Sequence, residues 1–247
     1  SQPFLRFAFQ GKHFQFQALS FGLSISPCVF TKILAPVVAL RHLSNVSVFP
    51  YLDDWLLSAS SFSKVQQDLT LVLDTLQRLG FCVNLMKSSL QPSQQKLFIG
   101  ALFDTALARV FLPASRILIL QTAVRQLLSL PAASARTWLR VQGLMAATTA
   151  VVLWARFRLK PIVNHILRYW SPALKQYETL VPVTPNVIQA LSWWLLDGTL
   201  SKGVPLRFPS FLRRMQSGWG RVPLWGIRRF KGFGPLCRLV NPRIGGS

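Results

Sequence analysis

Polar and apolar positions alternate at the start of the chain, as Phe4-Leu5-Arg6-Phe7-Ala8-Phe9, a turn at Gln10-Gly11-Lys12, then Phe14-Gln15-Phe16-Gln17-Ala18. Aromatic alternation around a glycine turn predicts a β-hairpin. Ser26-Pro27 then opens a helix, with Ser as cap and Pro in the first turn. Its apolar positions Val29, Phe30, Ile33, Leu34, Val37 and Val38 recur at helical spacing, and Pro36 should kink it. Residues 46 to 59 read as strand, tight turn, strand, with Leu52-Asp53-Asp54 at the turn. From about Ser63, Val65, Leu69, Val72, Leu76 and Leu79 line one helical face, and Gly80 stops the helix. A strand is expected around Phe81 to Leu85, and a further hairpin from Lys96–Leu102 and Ala108–Leu112.

Past Pro113 the periodicity becomes helical. Ser115 to Leu130, Ser134 to Phe157, Lys160 to Trp170 and Pro185 to Leu196 read as helices, punctuated by Pro131, Pro161, Pro172, Pro182 and Pro185. The expected class is α+β, in three parts: a mixed part over 1–112, a helical part over 113–197, and a tail over 198–247. That tail holds ten Lys or Arg, no acid and no clear period, and is expected to be poorly ordered.

Charge alters the picture most. The chain has 28 Lys and Arg against 7 Asp and Glu, a net charge of +21. Such an excess points to a polyanion, either nucleic acid or an anionic membrane. The uncharged run from Val141 to Ala155 is shorter than the ~20 residues a spanning helix needs, so a membrane partner is not expected. Three cysteines without a CxxC pair and three dispersed histidines suggest neither zinc nor disulfides, and fit a reducing intracellular compartment, cytoplasmic or nuclear. The chain lacks an initiator Met and opens mid-pattern, which suggests a piece of a longer polyprotein.

Two of the seven acids are neighbours, Asp53 and Asp54, on an apolar hairpin flanked by Tyr51-Leu52 and Trp55-Leu56-Leu57. A bare Asp-Asp turn is commonly only a solvated turn. Held between apolar strands, the pair suits divalent metal, since Mg²⁺ prefers carboxylate and phosphate oxygens.

Tyr51-Leu52-Asp53-Asp54 resembles the YxDD box of reverse transcriptases, and three further segments agree in order. Leu19-Ser20-Phe21-Gly22-Leu23-Ser24-Ile25-Ser26-Pro27-Cys28-Val29-Phe30 resembles the LPFGLxxSPxxF segment, with Ser20 where Pro is usual. Leu79-Gly80-Phe81-Cys82-Val83-Asn84-Leu85-Met86-Lys87-Ser88 resembles LGxxxNxxKS, and Leu97-Phe98-Ile99-Gly100 resembles the FLG hairpin that grips a primer end. Trp55-Leu56 and Gly143-Leu144-Met145-Ala146-Ala147 look most like retrotransposons of the DIRS type. The resemblance covers roughly residues 4 to 170.

The resemblance implies a partial palm, an antiparallel sheet with helices on one face, followed by a helical thumb. Asp53 and Asp54 would be the catalytic and metal-binding pair, with Mg²⁺ or Mn²⁺ as cofactor in the intact parent. Phe21, Gly22, Tyr51 and Lys87 would meet the incoming dNTP, and Phe98, Ile99 and Gly100 the primer. Arg116, Arg125, Arg136, Arg140, Arg156, Arg158 and Lys160 would contact the backbone of an RNA template and DNA primer.

The family's third Asp, on a DLKDAYF-like strand, has no counterpart, because no acid precedes Asp53. The chain alone is therefore expected not to polymerise DNA; the alternative is a non-catalytic nucleic-acid-binding relic or domesticated fragment. Its parent is expected to carry an RNase H region, of which Ser217-Gly218-Trp219-Gly220 keeps a trace without the expected acid. A frameshifted tail would account for that loss.

Overall fold

The computed structural model describes residues 6–16, 22–206 and 238–241. It is an α+β protein that divides into two compact units, one over Ser1–Pro92 with Val240–Ser247, the other over Ser93–Leu239. The division falls ahead of the boundary at 112 drawn from the sequence pattern.

In the first unit, β1 (Arg6–Phe9) and β2 (Lys12–Gln15) form the expected hairpin, in the register Phe7↔Phe14 and Phe9↔Lys12. Helix α1 (Ser26–Leu43) starts with Pro in its first turn, but its N-cap is Ile25, which makes no side-chain cap bond. Ser26 is thus inside the helix rather than its cap, since its N–H already bonds Leu23 O. Strands β3 (Ser47–Tyr51) and β4 (Asp54–Ala59) pair antiparallel with Tyr51 opposite Asp54. Trp55, Leu56, Leu57 and Ser58 are all buried, as in a strand covered on both faces. The sheet order is β3, β4, β12 (Arg238–Asn241), β5 (Ser89–Ser93).

Helix α2 (Phe62–Arg78) begins where Ser61 Oγ accepts from Lys64 N–H at 3.2 Å. It ends at Gly80, φ 81°: Gly80 N–H donates to Gln77 O and Phe81 N–H to Leu76 O. These two bonds make a Schellman close, which needs the left-handed residue that glycine supplies. The buried face Val65, Leu69, Val72 and Leu76 packs with Val48, Trp55 and Leu57 of the sheet, Val46 just ahead of β3, and Leu34 and Val37 of α1. The strand expected around 81–85 does not form. Leu85–Lys87 is a 3-10 turn, started by Asn84 Oδ1 accepting from Lys87 N–H at 3.1 Å, and the strand follows at β5. A side-chain bond to the backbone thus competes with ladder pairing there.

The second unit opens with a meander, β6 (Gln95–Phe98), β7 (Ala101–Asp104) and β8 (Arg109–Phe111). Buried Asp104 holds its far end, accepting from Gln95 Nε2 at 2.7 Å and Leu107 N–H at 2.8 Å. Helices α3 (Ala114–Leu128), α4 (Ala135–Ala146), α5 (Ala155–Tyr169) and α6 (Pro185–Ser192) follow. The single helix expected over 134–157 is interrupted, because α4 ends at Ala146 and Trp154 takes a left-handed φ of 66° before α5. Pro161, expected as a boundary, lies inside α5. Two short strands escaped the pattern, β9 (Ala132–Ser134) and β10 (Leu180–Pro182), which pair with each other. Trp138 Nε1 donates to Val181 O at 3.1 Å, and His165 Nε2 to Pro182 O at 2.8 Å, so β10 is tied to α4 and α5.

Of the tail expected to be poorly ordered from 198, residues 198–206 are described, and Val204–Pro205 (β11) pairs with β8. Arg109 donates to Lys202 O at 2.7 Å and to Gly203 O at 3.0 Å. Residues 207–237, with the Gly-Trp-Gly trace, lie outside the described residues.

Candidate active site

The β3–β4 pairing leaves Leu52 and Asp53 as a two-residue turn between Tyr51 and Asp54. Leu52 has φ 51°, a left-handed conformation that costs a non-glycine residue energy and needs support from its surroundings. Trp55 provides it: the ring is fully buried in the core, and Nε1 donates to Leu52 O at 3.3 Å. The turn is thereby tied to the hydrophobic core within three residues. Asp53 is exposed at the tip, while Asp54 and Tyr51 are half-buried. Both carboxylates have access to solvent and to a ligand, so neither has the desolvation cost of a buried unpaired acid.

Two carboxylates do not make a full cation cage. Among the described residues no group of three or more His, Cys, Asp or Glu gathers to hold a metal. Asp68 is buried and held by Lys64 Nζ at 2.5 Å, and Asp74 accepts from Arg78 Nε at 3.0 Å. The acids nearest in sequence to the turn are therefore engaged within α2. The donor set at the turn, two carboxylate side chains on adjacent residues, suits a hard cation that keeps water or phosphate oxygens as its other ligands.

Gly22 is exposed with φ 88°, and a Cβ there would meet nothing, so it serves as a turn rather than a tight backbone approach. Phe21 lies outside the described residues. Lys87 closes the 3-10 turn and is exposed. At the grip, Phe98 is buried edge-on against Phe103, at 6.0 Å between ring centres, while Ile99 and Gly100 form the turn and are half-buried.

Residues 2–102 match the family model of the reverse transcriptase (RNA-dependent DNA polymerase). That segment is similar to reverse transcriptases, and it contains every residue from Phe21 to Gly100 singled out above. Reverse transcriptases use divalent metal ions and act on template-primer and nucleotide substrates. No curated protein and no solved structure matched the chain.

The basic residues of the helical region lie beyond the segment matched to reverse transcriptase, and the structure sorts them. Arg136 bonds Glu178, with Nη2 at 2.7 Å from Oε1, and its guanidinium lies 5.7 Å from the Tyr177 ring centre. Arg158 sits over Trp193 at 5.5 Å. Arg116, Arg125, Arg140, Arg156 and Lys160 are exposed. The seven do not share one face, since Arg116 and Arg125 lie about two and a half turns apart on α3. Sequence reasoning missed Trp55 as the anchor of the turn. Its signal was adjacency, a large aromatic directly after the acid pair.

Proposed function

We propose that this chain is the palm and thumb part of a retrotransposon reverse transcriptase, most like the DIRS type, with Asp53 and Asp54 as its catalytic carboxylates. The observation that carries this reading is the core-anchored turn that holds Asp53 exposed at the tip of an apolar hairpin. Gly143–Ala147, the segment most like DIRS elements, straddles the end of α4.

In this reading Asp53 and Asp54 hold Mg²⁺ or Mn²⁺, which would supply Lewis-acid stabilisation of the transferring phosphoryl group. Tyr51 and Gly22 border the dNTP site, and Lys87 offers its ammonium to the dNTP phosphates. Asp53 is the principal ligand, being exposed at the tip of the turn. The exposed arginines of α3 to α5 hold template and primer by their phosphates, without reading sequence.

By itself the 247-residue chain does not polymerise, because no third acid joins Asp53 and Asp54 among the described residues. A missing ligand removes most of the charge stabilisation that a two-metal site delivers. The test is extension of a labelled DNA primer on an RNA template with dNTPs and Mg²⁺, alongside Asp53→Ala. We expect no product from either protein. Extension that disappears in the Asp53→Ala variant would show a complete site in this chain and overturn the inactivity.

A further inference from the structure

We propose that Trp154 and Phe157 form a stacking platform for the bases of an unpaired nucleic-acid strand. The proposal rests on the nucleic-acid reading above and adds to it a base-binding patch that no residue named there supplies. Among the described tryptophans only Trp154 is exposed, at 68%. Phe157 is exposed to 67% and Leu153 to 60%, so three large apolar side chains face solvent within one short segment. Single apolar residues on a surface need no explanation, but a contiguous group marks an interaction site.

The backbone holds this group in place. Val151, Val152 and Ala155 are buried, which pins the chain to the core on both sides of Leu153 and Trp154. Trp154 takes φ 66° and precedes α5 without a side-chain cap bond. A left-handed conformation is costly for a residue with a Cβ, and an exposed ring recovers little of that cost by burial. Strain of this kind is typical of ligand sites. Among the described residues neither ring stacks on another aromatic, so both can receive a planar group.

The charge around the rings selects the ligand. Arg156 and Lys160 are exposed, with no hydrogen bond or ion pair from their side chains among the described residues. At about 100° per residue, Lys160 falls between Arg156 and Phe157 round α5. No acid stands in the first turn of that helix. Rings flanked by unpaired cations suit a chain of planar bases joined by phosphates, because each base offers a face and each link a negative charge. A duplex hides its base faces, so these rings distinguish an unpaired strand from a helix. In a chain of net charge +21 the surrounding field favours such a polyanion over a second copy of the protein.

The test is fluorescence anisotropy with the full chain across a KCl series, using a labelled oligouridine, which forms no duplex, and a labelled DNA–RNA hybrid duplex. Trp154→Ala and Phe157→Ala should each weaken oligouridine binding about fivefold or more. Neither should change the slope of log affinity against log salt, because no charge is lost, and hybrid binding should stay at the parent's level. Trp154→Gly should lose the same affinity while raising the thermal midpoint, since glycine takes φ 66° freely; its weaker binding is then not unfolding. Oligouridine bound by both alanine variants as tightly as by the parent overturns the platform and leaves the wider reading standing. So does a parent chain that binds the hybrid but not oligouridine. Binding to phosphatidylserine vesicles that depends on Trp154, with oligouridine binding that does not, assigns the patch to a membrane and also overturns it. Failure of the parent chain to bind either nucleic acid even at low salt overturns both.

Discussion

At the residue scale, two of the strained turn positions, Leu52 and Ile99, have different supports. Leu52, φ 51°, is held by the indole of Trp55 from below. Ile99, φ 49°, is half-buried in the turn closed by the flanking ladder of β6 and β7. A left-handed conformation costs a non-glycine residue about 1–2 kcal/mol, whereas asparagine adopts it readily. Ile99→Asn should therefore stabilise the second unit by about 0.5–1 kcal/mol, after allowing for the apolar area that half-buried Ile99 gives up. Chemical denaturation read by tryptophan fluorescence checks this; a lower midpoint would mean that packing of Ile99 outweighs its strain. At the same scale, the identity of the acid pair was legible in the sequence and its anchoring was not. Nothing in the order Asp-Asp-Trp states that the indole N–H turns back to the carbonyl of Leu52.

At the element scale, local chemistry decided the ends of α2 and tertiary packing decided its face. Ser61 and Gly80 mark its two ends, and both act within a single turn of backbone. Gly80→Ala should cost about 1 kcal/mol, because the Schellman close forces the left-handed φ of 81° on a residue with a Cβ. No steric clash adds to this, since a Cβ at Gly80 would meet nothing. Thermal unfolding is the measurement, and an unchanged midpoint would show that the helix end can reform without the motif. The elements that sequence reasoning missed are those without local signals. β9 and β10 are short strands brought together from either side of α4 and α5, and their apolar content is too brief to show a period. The break between α4 and α5 was hidden for the opposite reason, because the apolar period runs on through Thr148 to Trp154 although the backbone does not.

At the scale of the whole molecule, the charge of +21 is the dominant fact, and it bears on partners rather than on fold. Seven acids leave little internal compensation, and Asp68, Asp74 and Glu178 are each engaged in an ion pair. The exposed cations Arg116, Arg125, Arg140, Arg156 and Lys160 are spread over α3, α4 and α5. Each phosphate neutralised contributes about −0.9 to the slope of log affinity against log salt. The five cannot all face one duplex, so a slope between about −2 and −4 is expected for a nucleic-acid duplex. A slope near zero would remove phosphate contacts as the basis of binding.

The amino-acid sequence by itself determined the α+β class, the two hairpins with their acid and glycine turns, the ends of α2 and the similarity of the first hundred residues to reverse transcriptases. All of these are written in neighbouring residues, through caps, periods of two or 3.6 and turn preferences. The tertiary structure alone decided which arginines are engaged and which stay exposed, how Trp55 supports the turn below Asp53, and that Trp154 stays exposed between buried Val152 and Ala155. Those outcomes depend on close approach between elements, which is set by the packing of side chains across space and leaves no mark on the order of residues along the chain.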